Sequence, residues 1–214
     1  MNRRHIIGGL VGAVAGSTLG SRAFSHAPSD ERGAVGVRAG GGTRNRLPNV
    51  ALRTHRGREV RFYDDLIKAK TVLINFMYTA CQDDCPLTMA TLAQVQHGLG
   101  ARSGRDVFIY SITVDPEHDT PEVLARYAKQ FGATSGWLFL TGTLPDIRRV
   151  RKSLGDDPRL APAQSNHLNL ISLGIEPLAR WSACPAWAKP QTIIRYLSWM
   201  EPNGTRPRAP RVSS

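Results

Sequence analysis

Two cysteines four residues apart, Cys81 and Cys85, with Pro86 directly after the second, are the side chains here best suited to chemistry. They close the stretch 75–86 (NFMYTACQDDCP), where an apolar run leads straight into the thiols. Four-residue spacing sets two side chains about one helical turn apart, within the Cα separation of roughly 4.4–6.8 Å that a disulfide requires. The same spacing lets both sulfurs reach one metal ion, so spacing alone leaves redox and metal chemistry open. If Cys85 begins a helix that Pro86 continues, the amide groups at the helix N-terminus favour its thiolate. Asp83 and Asp84 oppose that charge, yet make the loop attractive to a cation. A disulfide closing so short a loop restrains little unfolded-chain entropy, so stabilisation alone is a poor reason for the pair.

A two-thiolate metal site needs more ligands, and the chain has six histidines. His5 and His26 lie in the N-terminal segment. His55 falls in an expected hairpin turn and His97 on a helix whose apolar positions lie elsewhere, so both read as solvated. His118, after the second central strand, and His167, where a late loop enters a hairpin, remain as candidates. Cys184 is the leftover thiol and reads as a small buried apolar residue without a role in the chemistry.

The elements that must position these groups are visible in the hydrophobic pattern. Val50–Thr54 and Glu59–Phe62 are short strand-like runs flanking His55, Arg56 and Gly57, which predicts an N-terminal hairpin. Thr71–Tyr78 and Val107–Val114 are nearly continuous apolar runs, as expected of strands covered on both faces, and Trp137–Leu140 is a shorter third. Met89, Leu92, Val95 and Leu99 recur at helical spacing, as do Val123, Tyr127 and Phe131. Thr120 and Pro121 signal a helix start; Thr143 with Asp146 has capping-box spacing ahead of Ile147, Val150 and Leu154, with Gly155 as the stop. After a loop over 156–165, Leu168–Leu173 and Leu178–Trp181 read as an antiparallel hairpin turning at 174–177, and a last helix over 190–200 buries Ile193, Leu197 and Met200. This order predicts an α/β thioredoxin-like sandwich: a central mixed sheet, flanking helices and an N-terminal hairpin.

Composition bounds the rest. With 214 residues, 41% hydrophobic and 21% charged, the chain suits one domain with a full core. Residues 1–27 read as a cleaved export signal: Arg3 and Arg4, then an uncharged run over 6–21 too short to cross a bilayer, then small-residue cleavage positions. The Arg pair before a weakly hydrophobic segment resembles a twin-arginine signal. Residues 28–46 read as a flexible leader, 47–200 as the domain and 201–214 as a disordered tail. Removing 1–27 takes away Arg3, Arg4 and Arg22 and no acid, so the formal charge falls from +11 to +8. The remaining charges are spread rather than clustered with aromatics, which argues against nucleic acid and for a solvated surface with weak attraction to anionic lipid or an acidic partner.

Cys81–Pro86 after its strand, the segment 112–121 (ITVDPEHDTP), the turn 140–143 (LTGT) and a late histidine before a strand together resemble the SCO/SenC family. The resemblance covers about 50–200 and implies a thioredoxin-like protein, exported or membrane-anchored, that serves copper delivery to cytochrome c oxidase. It implies copper ligands at Cys81, Cys85 and His167; His118 occupies a position the family often fills with arginine. Asn166 stands where an acidic residue commonly precedes the late histidine. Two thiolates and an imidazole suit Cu(I) and can hold Cu(II), and an open three-ligand site suits a metallochaperone that hands copper to an oxidase subunit or another periplasmic copper protein. The alternative is a thiol-disulfide oxidoreductase using Cys81 and Cys85 as a redox pair on a partner's cysteines.

Overall fold

The computed structural model describes residues 46–81, 84–156 and 169–204. The export signal expected over 1–27, all but the last residue of the leader and the tail from 205 onward lie outside these residues.

Seven strands form one mixed sheet: β1 (Ala51–Thr54), β2 (Glu59–Arg61), β3 (Thr71–Met77), β4 (Val107–Thr113), β5 (Trp137–Gly142), β6 (Leu170–Ile175) and β7 (Arg180–Pro185). Their order is β2-β1-β5-β4-β3-β6-β7. β3, β4 and β5 are parallel neighbours, whereas β1, β6 and β7 run antiparallel to the strands they join. The sheet is thus parallel at its centre, and the C-terminal ends of three strands open on one edge. β6 starts on that edge too, since Ile171 pairs with Asn75.

Among the described residues four α-helices cover the sheet: α1 (Asp84–Leu99), α2 (Pro121–Gln130), α3 (Leu144–Ser153) and α4 (Pro190–Met200). Side chains alternate across a strand, so each central strand feeds two cores. Leu73 and Met77 of β3, Ile109 of β4, Trp137 and Phe139 of β5 and Leu173 of β6 pack against α1, α2 and α4. Val72, Ile74 and Phe76 of β3, Tyr110 and Ile112 of β4 and Leu140 of β5 pack against α3 and the N-terminal hairpin. Burial on both faces explains the unbroken apolar runs. Each large side chain so buried contributes about 1.5–3 kcal/mol. α1 and α4 approach closely at Gly98, where a Cβ would lie 2.6 Å from Ile194 Cδ1.

Local start signals act as expected. Thr120 Oγ1 accepts the Val123 N–H at 3.4 Å with Pro121 opening α2. Thr143 Oγ1 accepts the Asp146 N–H at 3.3 Å and donates to the Asp146 carboxylate at 2.7 Å. Gly155, at φ +81, follows the end of α3.

Three sequence expectations are corrected, and one element was not anticipated. The buried stripe of α2 is Leu124 and Ala128, one residue past the expected Val123, Tyr127 and Phe131, which flank it half-buried. The second hairpin turns at Glu176–Leu178 rather than 174–177; Gly174 belongs to β6, where the Trp181 ring covers the space a Cβ would need. A π-helical turn, Phe62–Ile67, buries Phe62, Tyr63, Leu66 and Ile67; its consecutive Asp64 and Asp65 obscure the apolar pattern. Finally, His55 is half-buried rather than solvated. Its Nδ1 accepts the Phe139 N–H at 3.1 Å and its own N–H donates to the Phe139 carbonyl at 2.8 Å. Its ring stands edge-on to Phe139, and burial, then the Arg56 charge, hold its pKa below the ordinary value. No helix among the described residues is long and apolar enough to cross a membrane.

Candidate functional site

β3 ends at Met77, whose carbonyl accepts the Val114 N–H at 2.8 Å, so the loops after β3 and β4 start together. The chain then turns, with the Cys81 N–H donating to the Tyr78 carbonyl at 3.3 Å, and reaches α1. Cys85 is the second residue of α1, followed by Pro86, which tolerates the first turn because it has no N–H to satisfy. The two thiols differ in access. Cys85 is 2% exposed within the core, whereas Cys81 is half-buried and packs against the same core from its edge.

Beneath this loop runs a line of buried polar side chains on the face that α1 covers. Ser111 Oγ donates to Asn75 Oδ1 at 2.7 Å and accepts the Trp137 Nε1–H at 2.9 Å. Closer to the thiols lies Asp119, 1% exposed, which accepts the Thr79 N–H at 3.1 Å and the hydroxyls of Thr79 and Thr113. A buried carboxylate is tolerable only with such donors. It ties the residue two before Cys81 to β4 and to the start of α2.

α2 also presents Tyr127. Its ring lies 4.9 Å from Phe131 and 6.0 Å from Phe139, centroid to centroid, and its hydroxyl oxygen is buried without a hydrogen-bond partner among the described residues. Burial chiefly, then the negative charges of Cys85, Cys81 and Asp119, raise its pKa, so the phenol keeps its proton. Neither Asp119 nor Tyr127 was singled out by sequence reasoning. Asp119 sits inside the 112–121 motif, a signal of sorts, but Tyr127 reads as an ordinary helix-face aromatic.

The other candidates fall as follows. His118 is exposed on the β4–α2 loop, its Nδ1 2.9 Å from Asp115, whose hydrogen bond and charge raise its pKa. His97 is exposed on α1. Cys184, on β7 opposite Ile171, is buried, and burial pushes its thiol up to about 12. His167 lies outside the described residues, as do all of residues 157–168. Among the described residues no three His, Cys, Asp or Glu side chains converge to hold a metal ion.

A family model described as SCO1/SenC matches residues 48–166, more than half of the chain. This chain belongs to the SCO1/SenC family. The match contains Cys81, Cys85, Asp119 and Tyr127 and ends at the residue before His167. The mitochondrial protein SCO2 homolog of Bos taurus is 35% identical over 147 residues, 67% of this chain and 54% of the relative. The chain spans about half the length of the curated relatives it matches. Among solved structures, a SCO1/SenC family lipoprotein from Bacillus anthracis is 27% identical with a TM-score of 0.59, covering 71% of this chain and 92% of that one. ScoI of Bradyrhizobium japonicum with copper bound is 26% identical with a TM-score of 0.57, covering 69% and 94%. SCO1/SenC neighbours thus share the thioredoxin-like mixed sheet seen here.

Proposed function

We propose that this SCO1/SenC chain is a periplasmic copper metallochaperone, exported by the signal at 1–27, which carries one copper ion to a respiratory oxidase subunit or another copper protein. The thiolates of Cys81 and Cys85 and the imidazole of His167 are its ligands. The observation that carries this reading is the thiol pair at the C-terminal end of β3 and the start of α1, Cys81 half-buried and Cys85 buried. Soft thiolates with one imidazole favour Cu(I), and the ScoI relative holds copper. β6 opens at Leu170 beside the C-terminal end of β3, since Ile171 pairs with Asn75.

Uptake requires both thiols to lose their protons, so copper affinity rises with pH where the thiols titrate. Three ligands leave a position for an incoming donor from the recipient, which lets the ion move by ligand exchange. Oxidation removes two of the ligands, as the pair gives up two electrons and two protons and forms an S–S bond. The net positive charge of the mature chain suits weak attraction to an anionic membrane surface.

The unequal burial of the two thiols also suits a second reading, thiol-disulfide exchange on a partner's cysteines, with the less buried Cys81 as attacking thiol. His167→Ala separates the two. Under the copper reading it weakens copper binding at least tenfold and leaves disulfide formation intact. Copper binding unchanged by His167→Ala would remove the histidine from the site and favour the exchange reading.

A further inference from the structure

We infer that the sheet edge carrying Cys81 is a docking surface for a partner protein whose own cysteine is flanked by lysine or arginine and by apolar side chains. Two independent observations meet at this edge, and the first is apolar. Trp187 and Leu87, 66% and 60% exposed, are the two most exposed large hydrophobic side chains among the described residues. Leu87 is the second residue after Cys85 in α1. Trp187 follows β7, whose last residue, Pro185, pairs with Leu170 at the start of β6, and the Ala186 N–H ties that turn to the Asn169 carbonyl at 2.9 Å. β6 starts beside the C-terminal end of β3, so both side chains stand at the edge where α1 and α4 begin and the thiols lie. Single exposed hydrophobics are ordinary on any surface. Two at the one edge where sulfur must meet a partner are placed for contact, and tryptophan is the residue most favoured at the centre of such contacts.

The second observation is charge. The chain has 28 Lys and Arg against 17 Asp and Glu, yet residues 71–101 and 107–125, which hold the loops after β3 and β4, contain none of the 28. The same two spans contain Asp83, Asp84, Asp115, Glu117, Asp119 and Glu122. Glu117 and Glu122 are exposed, Asp115 is half-buried beside His118, and Asp119 is buried. Lys189, exposed at the start of α4, supplies a cation at the β7 end of the edge. A chain basic as a whole therefore presents Cys81 from loops without Lys or Arg, and a field of that sign speeds encounter with a basic partner and disfavours an acidic one. The inference rests on Cys81 as the point of exchange, whether copper or a disulfide is what moves.

The test uses the reduced full chain and two end-blocked pentapeptides, Lys-Leu-Cys-Leu-Lys and Glu-Leu-Cys-Leu-Glu, each carried as its mixed disulfide with thionitrobenzoate. The Cys81 thiolate attacks the peptide sulfur and expels thionitrobenzoate, whose absorbance gives the rate. Cys85 then attacks Cys81, closing the protein disulfide, and its proton leaves with the peptide as a thiol. At an ionic strength of about 0.01 M the basic peptide should react about tenfold faster than the acidic one, with the two rates converging at about 0.5 M. Net charge alone predicts the reverse order. Glu117→Lys should lower the basic peptide's advantage about threefold at low salt. Leu87→Ser with Trp187→Ser should slow both peptides about threefold at high salt. The same double variant should react as the wild type does with 2-hydroxyethyl disulfide, a probe too small to span the surface, which checks that thiols and fold are intact. Equal rates at low salt, a faster acidic peptide, or peptide rates untouched by the double substitution would overturn the inference. A wild type unreactive with all three disulfides would remove Cys81 as an exchange centre and this surface with it. Failure to bind copper, with the expected order of peptides, would count against the metallochaperone reading alone.

Discussion

Asp119 holds Thr79 through both of that residue's hydrogen-bond donors, accepting its backbone N–H and its hydroxyl across forty positions of sequence. The carboxylate also takes the Thr113 hydroxyl and precedes Thr120, the cap of α2. One buried anion therefore joins the loop that leads to Cys81, the end of β4 and the helix that carries Tyr127.

Removing it strands three donors at a buried position. Asp119→Ala should lower unfolding free energy by about 3 kcal/mol, and Asp119→Asn by less because its carbonyl still accepts. Urea denaturation of the three proteins checks the order. A loss within about 0.5 kcal/mol, ordinary for a surface site, would mean that Asp119 does not anchor the loop.

Arg151 and Asp156 form a second buried pair, 2.6 Å apart with side chains 7% and 6% exposed, and the guanidinium lies over the Phe76 ring. Asp156→Ala removes this buried partner of the guanidinium and should cost about 3 kcal/mol. Replacing both, as Arg151→Met with Asp156→Leu, should cost less than the single change, since burying a charge is expensive only when it stands alone. Chemical denaturation of single and double variants decides this.

His55 and His118 give opposite pH dependence. His55 has a depressed pKa in the fold, so the unfolded chain binds the extra proton more readily and stability falls as pH drops below about 6.5. His118 has a raised pKa, so its contribution is present below about 6.5 and is lost as pH rises through the folded value. His118 is exposed and its effect is small. Between pH 7 and 5 the wild type should therefore lose more stability than His55→Asn, which keeps an acceptor for the Phe139 N–H but does not titrate. Denaturation midpoints at the two pH values provide the comparison.

Cys184 should be silent. With its thiol buried and pushed up to about 12, native protein at pH 8 should label first at Cys81, with Cys184 reacting only on unfolding. Mass spectrometry of a timed alkylation reads the order.

Much of this fold is legible in the sequence because its signals are local. Thr120 before Pro121 and Thr143 with Asp146 mark helix starts by chemistry confined to one turn, and the structure has them there. The doubly covered strands announce themselves by unbroken apolar runs for a reason equally local. What escaped depends on distant partners. The stripe of α2 is set by which side chains meet β5, so periodicity alone misplaced it by one residue. His55 is buried by Phe139, 84 residues away, which no turn signal reveals. At the site, the cysteines and their strand were legible, and so was the family, through four separated motifs. Asp119 and Tyr127 were not read as parts of the site, because their relation to the thiols exists only once β3, β4 and α2 have come together.

The central measurement is an anaerobic Cu(I) titration of fully reduced protein against a chromophoric copper chelator, with reactive thiols counted at each point. About one copper per chain should bind, with Cys81 and Cys85 protected from labelling in step with uptake, as a two-thiolate Cu(I) site requires. No uptake, or uptake that leaves both thiols as reactive as before, would contradict copper binding at this pair.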